Sequence, residues 1–213
     1  MAFGSTMQCY NTKNFMFSFS AAVYGDTKYI SIKASFSLPA TNPFGQTKLI
    51  SERILHNLEH TDANVNIGYS HYHKPVGAHN SKLIGEARLG VPINLMSFVV
   101  QAAVGKLDKL RAYWGNHVTA DTTSMRDFIN VIDLAQGYVT APSHLSTARA
   151  SFIGNFGTCR GHSGLEVKRT SEITSLRQIP FGFVGGRLGG IAACYSDASL
   201  SCMDAWLVSD SRN

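Results

Sequence analysis

Residues 14–20 read NFMFSFS, and this stretch predicts a buried β-strand. Aromatic and sulphur-bearing side chains stand there with small polar ones between them, a composition that suits a packed strand. After AAVYG and a turn, the residues from Pro43 to about Glu59 place leucines and isoleucines on a broad apolar face. That spacing predicts an amphipathic helix. The chain therefore opens as a strand followed by a helix.

The same alternation continues towards the C-terminus. Asn64 to His73 predicts a strand, and Pro92 opens a helix that Gly105 is placed to end. Capping-box spacings at Asp133/Gln136 and Ser163/Glu166 predict two more helix starts. Further strands are predicted in DFINVIDLAQ (127–136), SFIGNFG (151–157) and IPFGFVGG (179–186). Strands that alternate with helices predict an α/β protein with a largely parallel sheet.

Composition limits the classes of function. The 213 residues are 44% apolar and 15% charged, enough for a core in one domain or slightly more. The net charge of +5 suits an anionic ligand, but no run of Lys and Arg predicts a nucleic-acid partner. Four cysteines without CxxC spacing, no signal-peptide pattern and no apolar run of membrane-spanning length predict a soluble, reduced, cytoplasmic protein.

Dinucleotide-binding α/β chains usually carry a strand, a glycine-rich turn and a helix near their start. Nothing near this N-terminus has that pattern, and GFVGGRLGG (182–190) fits a flexible turn better. His71 and His73 share one face of a predicted strand, but no third ligand has zinc-like spacing, so we expect no metal site.

The stretch NPFGQTKL (42–49) raises a question of chemistry. Asn42 can cap a helix and Pro43 suits its first position, so Phe44 and Lys48 fall on one face of the first turns. An aromatic ring beside an ammonium is an arrangement used for proton transfer when the ring carries a hydroxyl. The two readings are a catalytic pair that lacks its oxygen and a core phenylalanine beside a surface lysine.

Six segments in order resemble the UDP-glucose 4-epimerase family of extended short-chain dehydrogenases/reductases. They are FSFSAAVYG, NPFGQTKL, KPVGAH, GVPINLMSF, RDFINVIDLA and IPFGFVGGRLGGIAACY. The resemblance implies an incomplete Rossmann-like parallel sheet that lacks its first βαβ units, with a smaller C-terminal substrate-binding α/β region. Residues 1–73 would be a remnant of the NAD-binding domain. Residues 74–213 would be a UDP-sugar-binding region interleaved with the last sheet elements.

The family reaction inverts C4 of a UDP-hexose. NAD accepts hydride from C4 while a tyrosine, with its pKa lowered by a lysine, removes the O4 proton. The resemblance places Ser20 at the serine that bonds the sugar O4, and Lys48 at the lysine that holds the nicotinamide ribose. Phe44 occupies the tyrosine position and has no ionisable proton. Tyr72 lies in the cofactor-side stretch that reads HYHKP here.

The resemblance also implies a nucleotide end of the site. Lys74 replaces an asparagine that contacts substrate, and Gly190 cannot bond a ribose hydroxyl. Asp127 is expected to be a structural partner of its neighbour rather than a base. The implied substrate-binding residues are Asn94, Leu95, Trp114, Arg126, Arg187 and Cys194.

These residues predict a UDP-glucose 4-epimerase-like protein of galactose metabolism with impaired catalysis, weak NAD binding and a UDP-sugar ligand. The family resemblance implies a homodimer. One alternative is a non-catalytic relative that keeps at most UDP-sugar binding. Another is a different NAD-dependent nucleotide-sugar dehydratase or epimerase.

Overall fold

The protein is described by a computed structural model, which covers residues 6–7, 9–24, 31–32, 40, 43–86, 90, 92, 94–113, 119–184 and 192–196. A short 3₁₀ helix spans Ala21–Tyr24. The strands are β1 (Asn14–Ser20), β2 (Ser31–Ile32), β3 (Asn66–Tyr72), β4 (Lys74–Val76), β5 (Leu110–Tyr113), β6 (Met125–Asn130), β7 (Phe152–Phe156), β8 (Gly161–Ser163), β9 (Phe181–Val184) and β10 (Ala193–Ser196). The helices are α1 (Pro43–Thr61), α2 (Leu95–Ala103), α3 (Val131–Ala148) and α4 (Gly164–Ser175).

A three-stranded parallel sheet in the order β1-β3-β7 organises the first half of the fold. The middle strand β3 is buried on both faces because helices cover both. Its odd-numbered side chains Ile67 and Tyr69 pack with Leu55 of α1, and its even-numbered Ser70 contacts Tyr138 of α3. The helix–sheet–helix layering confirms the predicted Rossmann-like α/β class with a parallel sheet.

A second sheet has the order β2-β10-β6-β4, all parallel, and β8 adds to β6 in the antiparallel direction. The strands β5 and β9 form a separate parallel pair, against which α2 packs through Val99 and Ala102. Between β3 and β4 the chain passes from the first sheet to the second through a single residue, His73, whose backbone N–H donates to the carbonyl of Phe156 at 3.0 Å.

The helix α1 begins at Pro43 as predicted, but its apolar face is narrower than the sequence suggests. Leu49 and Leu55 are buried, whereas Ile50 and Ile54 are 54% and 57% exposed. The buried stripe also includes Glu52, a carboxylate that the sequence pattern did not single out.

Of the two predicted capping boxes, one is confirmed and one is wrong. In α4, Ser163 and Glu166 form the predicted capping box. In α3, the box predicted from Asp133 and Gln136 is wrong, because the helix already begins at Val131 and its N-cap is Asn130. The Asn130 side chain accepts a hydrogen bond from the Ile132 N–H at 2.9 Å. No loop residue separates β6 from α3, so the last strand residue itself serves as the cap.

Candidate functional site

The carboxyl ends of β1 and β3 define the edge at which the candidate site lies. Ser20 and Tyr72 are the last residues of these strands and are register partners. In open parallel α/β sheets, ligands bind in the crevice outside the carboxyl ends of the strands. The two residues predicted for sugar and cofactor contact therefore share one edge of the first sheet.

Lys48 reaches this edge from α1. Its Nζ donates a hydrogen bond to the carbonyl of Ser18 at 3.2 Å. The same nitrogen lies 5.5 Å from the ring centroid of Phe17 and 5.8 Å from that of Phe44, both within cation–π range. Phe44 is 55% exposed. A core phenylalanine is excluded by that exposure, and the ring and the ammonium are held side by side as the spacing predicted.

A buried polar chain lies one helical turn behind Lys48. Tyr24 Oη donates to Asn155 Oδ1 at 2.8 Å and lies 2.7 Å from His71 Nδ1. On the other side of the ring, His71 Nε2 lies 3.2 Å from Glu52 Oε2. Burial, followed by the charge of Glu52, raises the pKa of Tyr24. Of these four residues, only His71 was a candidate from its sequence pattern. The signal for Glu52 was its place between Leu49 and Leu55 on the apolar stripe.

Arg126 and Cys194 are register partners on β6 and β10. The Arg126 Nη1 donates to the carbonyl of Met125 at 2.6 Å and, more weakly, to that of Ala192 at 3.5 Å. Burial lowers the pKa of Arg126 and raises the pKa of Cys194, so Cys194 is a thiol rather than a thiolate nucleophile. Cys194 packs with the 3₁₀ helix, which follows Ser20 directly, so the two ends of the candidate site adjoin.

His73 lies between the two groups of residues and is only 6% exposed. Burial is the largest cause that lowers the pKa of His73 to about 4; Asp127 opposes this shift, while His71 and Arg126 add to it. The imidazole is therefore neutral at physiological pH. Among the described residues, its Nε2 has no hydrogen-bond partner.

Asp127 is fully buried and holds the loop after β7. Its Oδ1 accepts from the Thr158 backbone N–H at 2.8 Å and from the Thr158 hydroxyl at 2.7 Å, and its Oδ2 accepts from the Cys159 N–H at 3.0 Å. These three bonds give Asp127 a structural function.

The remaining predicted residues are only partly described. Asn94 is the exposed N-cap of α2 and makes no side-chain capping hydrogen bond. Leu95 and Thr123 both lie beside Gly164. A Cβ atom at Gly164 would be 3.9 Å from Leu95 Cδ2 and 3.5 Å from Thr123 Cβ. The start of α2 therefore adjoins the start of β6, the strand of Arg126. Trp114 and Arg187 lie outside the described residues, as does Gly190.

The described part of the chain contains neither a metal-ligand cluster nor a membrane-spanning helix. No three His, Cys, Asp or Glu side chains are grouped there as metal ligands. No helix there combines the length and the apolar character needed to cross a bilayer.

The parallel sheet covered on both faces and the lysine at its carboxyl edge define a Rossmann-like α/β protein. Residues 5–154 match the NAD dependent epimerase/dehydratase family, and the chain belongs to this family.

Among curated proteins, the chain is similar to the UDP-glucose 4-epimerases of Bacillus subtilis and Dictyostelium discoideum. The Bacillus protein is 41% identical over 191 residues, which cover 90% of this chain and 56% of the relative. The Dictyostelium protein is 39% identical over 216 residues, which cover 94% and 63% respectively. The chain thus spans less than two thirds of the length of these relatives.

The chain is also similar to solved structures of UDP-glucose 4-epimerases. The UDP-glucose-4-epimerase from Stenotrophomonas maltophila, with bound NAD and formylated UDP-arabinopyranose, matches with a TM-score of 0.88 at 38% identity. The enzyme from Bifidobacterium longum, in complex with NAD+ and UDP, matches with a TM-score of 0.85 at 39% identity. Each match covers 92% of this chain and 58% of the solved chain.

Proposed function

We propose that this chain carries a UDP-glucose 4-epimerase-like site that binds a UDP-sugar and is catalytically impaired. The observation that carries the proposal is the Lys48 ammonium at the carboxyl edge of β1, beside the Phe44 ring. The similarity to UDP-glucose 4-epimerases at about 40% identity supports the choice of substrate.

The residues at the carboxyl edge of the first sheet would each have a distinct function in the reaction. NAD, when bound, would accept the hydrogen removed from C4 of the sugar and return it to the opposite face. Lys48 would hold the nicotinamide ribose, and Ser20 would hydrogen-bond the sugar O4. Phe44, at the position of the base, has no oxygen to take the O4 proton, and a positioned base usually contributes about 10²–10⁴-fold in rate. We therefore propose that the site is catalytically impaired.

The described residues fit one end of NAD better than the other. Lys48, Ser20 and Tyr72 provide polar groups and a ring at the carboxyl edge, where a nicotinamide ribose would lie. The pyrophosphate needs a glycine-rich turn at a helix N-terminus, and no G-x-G-x-x-G occurs in the sequence. We expect NAD to bind this chain no better than weakly.

The nucleotide end supports tighter binding of UDP than of NAD. Arg126 would grip the diphosphate, Asn94 and Leu95 would contact UDP, Trp114 would stack on the uracil, Arg187 would bind the diphosphate, and Cys194 would leave room near the sugar. We expect Arg126 to contribute most to UDP binding, because one guanidinium can donate two parallel hydrogen bonds to phosphate oxygens.

The test is calorimetric titration of the chain with UDP and with NAD. We expect Arg126→Ala to weaken UDP binding by about 1–3 kcal/mol, the range for losing a charge-assisted hydrogen bond. The matched control is Arg169→Ala, which removes an exposed arginine of α4. Equal UDP affinities for Arg126→Ala and the unmodified chain, or a micromolar affinity for NAD, would contradict the proposal.

A second candidate function is UDP-sugar binding without catalysis, and Phe44 is the observation that favours it. A different NAD-dependent nucleotide-sugar dehydratase or epimerase is a third, and its substrate would have to displace UDP in the same titration. We also propose a cytoplasmic protein, supported by the thiols of Cys9 and Cys194, which form no disulfide. A homodimer is supported by the exposed Ile50 and Ile54 of α1, and sedimentation velocity measures it.

A further inference from the structure

The buried chain of Asn155, Tyr24, His71 and Glu52 connects four elements of the fold. Asn155 belongs to β7, Tyr24 to the 3₁₀ helix, His71 to β3 and Glu52 to α1. Asn155, Tyr24 and His71 are fully buried and Glu52 is 4% exposed. Because these groups have left water, each of them needs a hydrogen-bond partner and the protons along the chain can be counted.

The count needs one proton more than a neutral imidazole and an ionised carboxylate carry together, and an imidazole is a stronger base than a carboxylate. The single proton of the Tyr24 hydroxyl is donated to Asn155 Oδ1. The 2.7 Å contact between Tyr24 Oη and His71 Nδ1 therefore requires an N–H on Nδ1. The 3.2 Å contact between His71 Nε2 and Glu52 Oε2 requires another. A neutral imidazole carries one N–H and an ionised carboxylate carries none, so two lone pairs would face each other.

We infer that His71 is a buried imidazolium paired with the Glu52 carboxylate, and that this pair positions Lys48 at the carboxyl edge. With both ring nitrogens protonated, every contact in the chain has one donor and one acceptor.

The surroundings of the pair agree with this charge distribution. His56 Nε2 faces the second carboxylate oxygen, Glu52 Oε1, at 3.9 Å, and His56 Nδ1 bonds Glu59 at 3.1 Å. On the side of β3, the next histidine is His73, which is neutral because burial lowers its pKa to about 4. The rings of Phe19 and Tyr24 pack edge-on against His71 at 5.3 and 5.1 Å.

The positioning function follows from where Glu52 lies. It is four residues after Lys48, on the same face of α1. The pair with His71 fixes that face against the middle strand of the first sheet. Lys48 can then reach the Ser18 carbonyl at the edge. Losing one partner would leave a buried charge unpaired, and α1 would have to shift to admit water. The use of this position rests on the proposed function, but the protonation of His71 does not.

The first measurement is the 15N spectrum of the full chain, labelled at its histidines, near neutral pH. We expect both ring nitrogens of His71 to show the protonated shift. In Glu52→Gln, the amide can donate to Nε2, so that nitrogen should move to the unprotonated range while Nδ1 stays protonated. An unprotonated ring nitrogen on His71 in the unmodified chain would overturn the inference, including the case in which Glu52 holds the proton.

The second measurement follows Lys48 itself. Its Nζ lies over the rings of Phe17 and Phe44, so ring currents displace the signals of the adjacent CH₂ group. We expect Glu52→Leu to move these signals towards those of exposed lysines, with a smaller change in Glu52→Gln. His60→Gln, an exposed histidine of the same helix, is the control and should leave them in place.

Unchanged Lys48 signals in both Glu52 variants would refute the positioning function. If Glu52→Leu does not fold, Glu52→Gln, which keeps the shape and a donor, decides the question. Neither readout involves UDP, NAD or turnover, so failure of the proposed function would not be mistaken for failure of this inference.

Discussion

Two single residues show that hydrogen-bond partners, rather than burial, distinguish a structural carboxylate from one that can take part in charge pairing. Asp127 and Glu52 are both buried carboxylates, but their partners differ. Asp127 accepts bonds from backbone and hydroxyl donors of one loop, which are neutral and fixed. Glu52 faces a side chain that can carry charge. The first arrangement stabilises a loop, and the second couples a helix to a strand.

We expect Asp127→Asn to lower the free energy of unfolding by about 1–3 kcal/mol, the cost of a buried donor left without its acceptor. The Asn amide retains one oxygen, whereas the structure has donors against both, so at least one N–H of Thr158 or Cys159 loses its acceptor. Urea unfolding measures the change. Asp108→Asn, at an exposed position, is the control and should stay within about 0.5 kcal/mol. Equal stability of Asp127→Asn and the unmodified chain would contradict the assignment.

The sequence predicted the residue pairs that depend on local spacing. Phe44 and Lys48 lie together because they are four apart on one helix, a relation that needs no knowledge of the fold. Tyr24, His71 and Asn155 are far apart in sequence and meet only through strand order and register. No periodicity encodes that meeting, so the chain they form with Glu52 had to come from the structure.

Among the elements, α3 contains an internal proline. Pro142 lies at an exposed position in the later part of the 18-residue helix. Its ring nitrogen cannot donate to the carbonyl of Tyr138, and an internal proline costs about 3 kcal/mol relative to alanine. The cost is offset in part because proline restricts the unfolded chain.

We expect Pro142→Ala to raise the free energy of unfolding by about 2 kcal/mol, since the restored hydrogen bond outweighs the greater freedom of the unfolded chain. Thermal or urea unfolding provides the measurement. Ser143→Ala, at the neighbouring exposed position, should change stability by a few tenths of a kcal/mol only. A loss of stability in Pro142→Ala would mean that the proline packs favourably in a way that its exposure does not suggest.

Helices and strands were predicted well where the signal lies in the local sequence. They were predicted less well where packing against other elements determines a boundary or a buried face. The strand at 14–20 and the helix from Pro43 have the predicted bounds to within two residues. The start of α3 was predicted too late in the sequence. Asn130 is both the last residue of β6 and the N-cap of α3, and a residue inside a strand pattern gives no capping signal. Ile50 and Ile54 fit an apolar helix face in sequence, yet the sheet covers only a narrower stripe.

At the scale of the molecule, the chain covers 56% of its Bacillus subtilis relative. A chimaera can therefore separate the effect of Phe44 from that of the NAD-binding segment. We expect that joining the chain to the part of that relative that the match does not cover gives at most trace conversion of UDP-galactose to UDP-glucose. Adding Phe44→Tyr should raise the rate by about 10²–10⁴-fold, the usual contribution of a positioned base.

The coupled assay compares four proteins: the chain, its Phe44→Tyr variant, the chimaera and the chimaera with Phe44→Tyr. Both unfused proteins should be inactive, since the proposed reaction needs bound NAD. Changes at Lys74 and Gly190 should keep the best chimaera below the relative itself. Robust turnover by the unmodified chain would overturn the proposed impairment, and equal rates for the two chimaeras would show that Phe44 is not at the place of the base.

The passage of the chain through His73 has a mechanical consequence. The segment Lys74–Val76 is attached through His73 to β3, which is hydrogen-bonded to β1 on one side and to β7 on the other. A pull on this segment along the strand axis would load both ladders in shear at once, instead of peeling an outer strand one bond at a time. The attachment therefore resists extension, and single-molecule pulling would register it as a high rupture force.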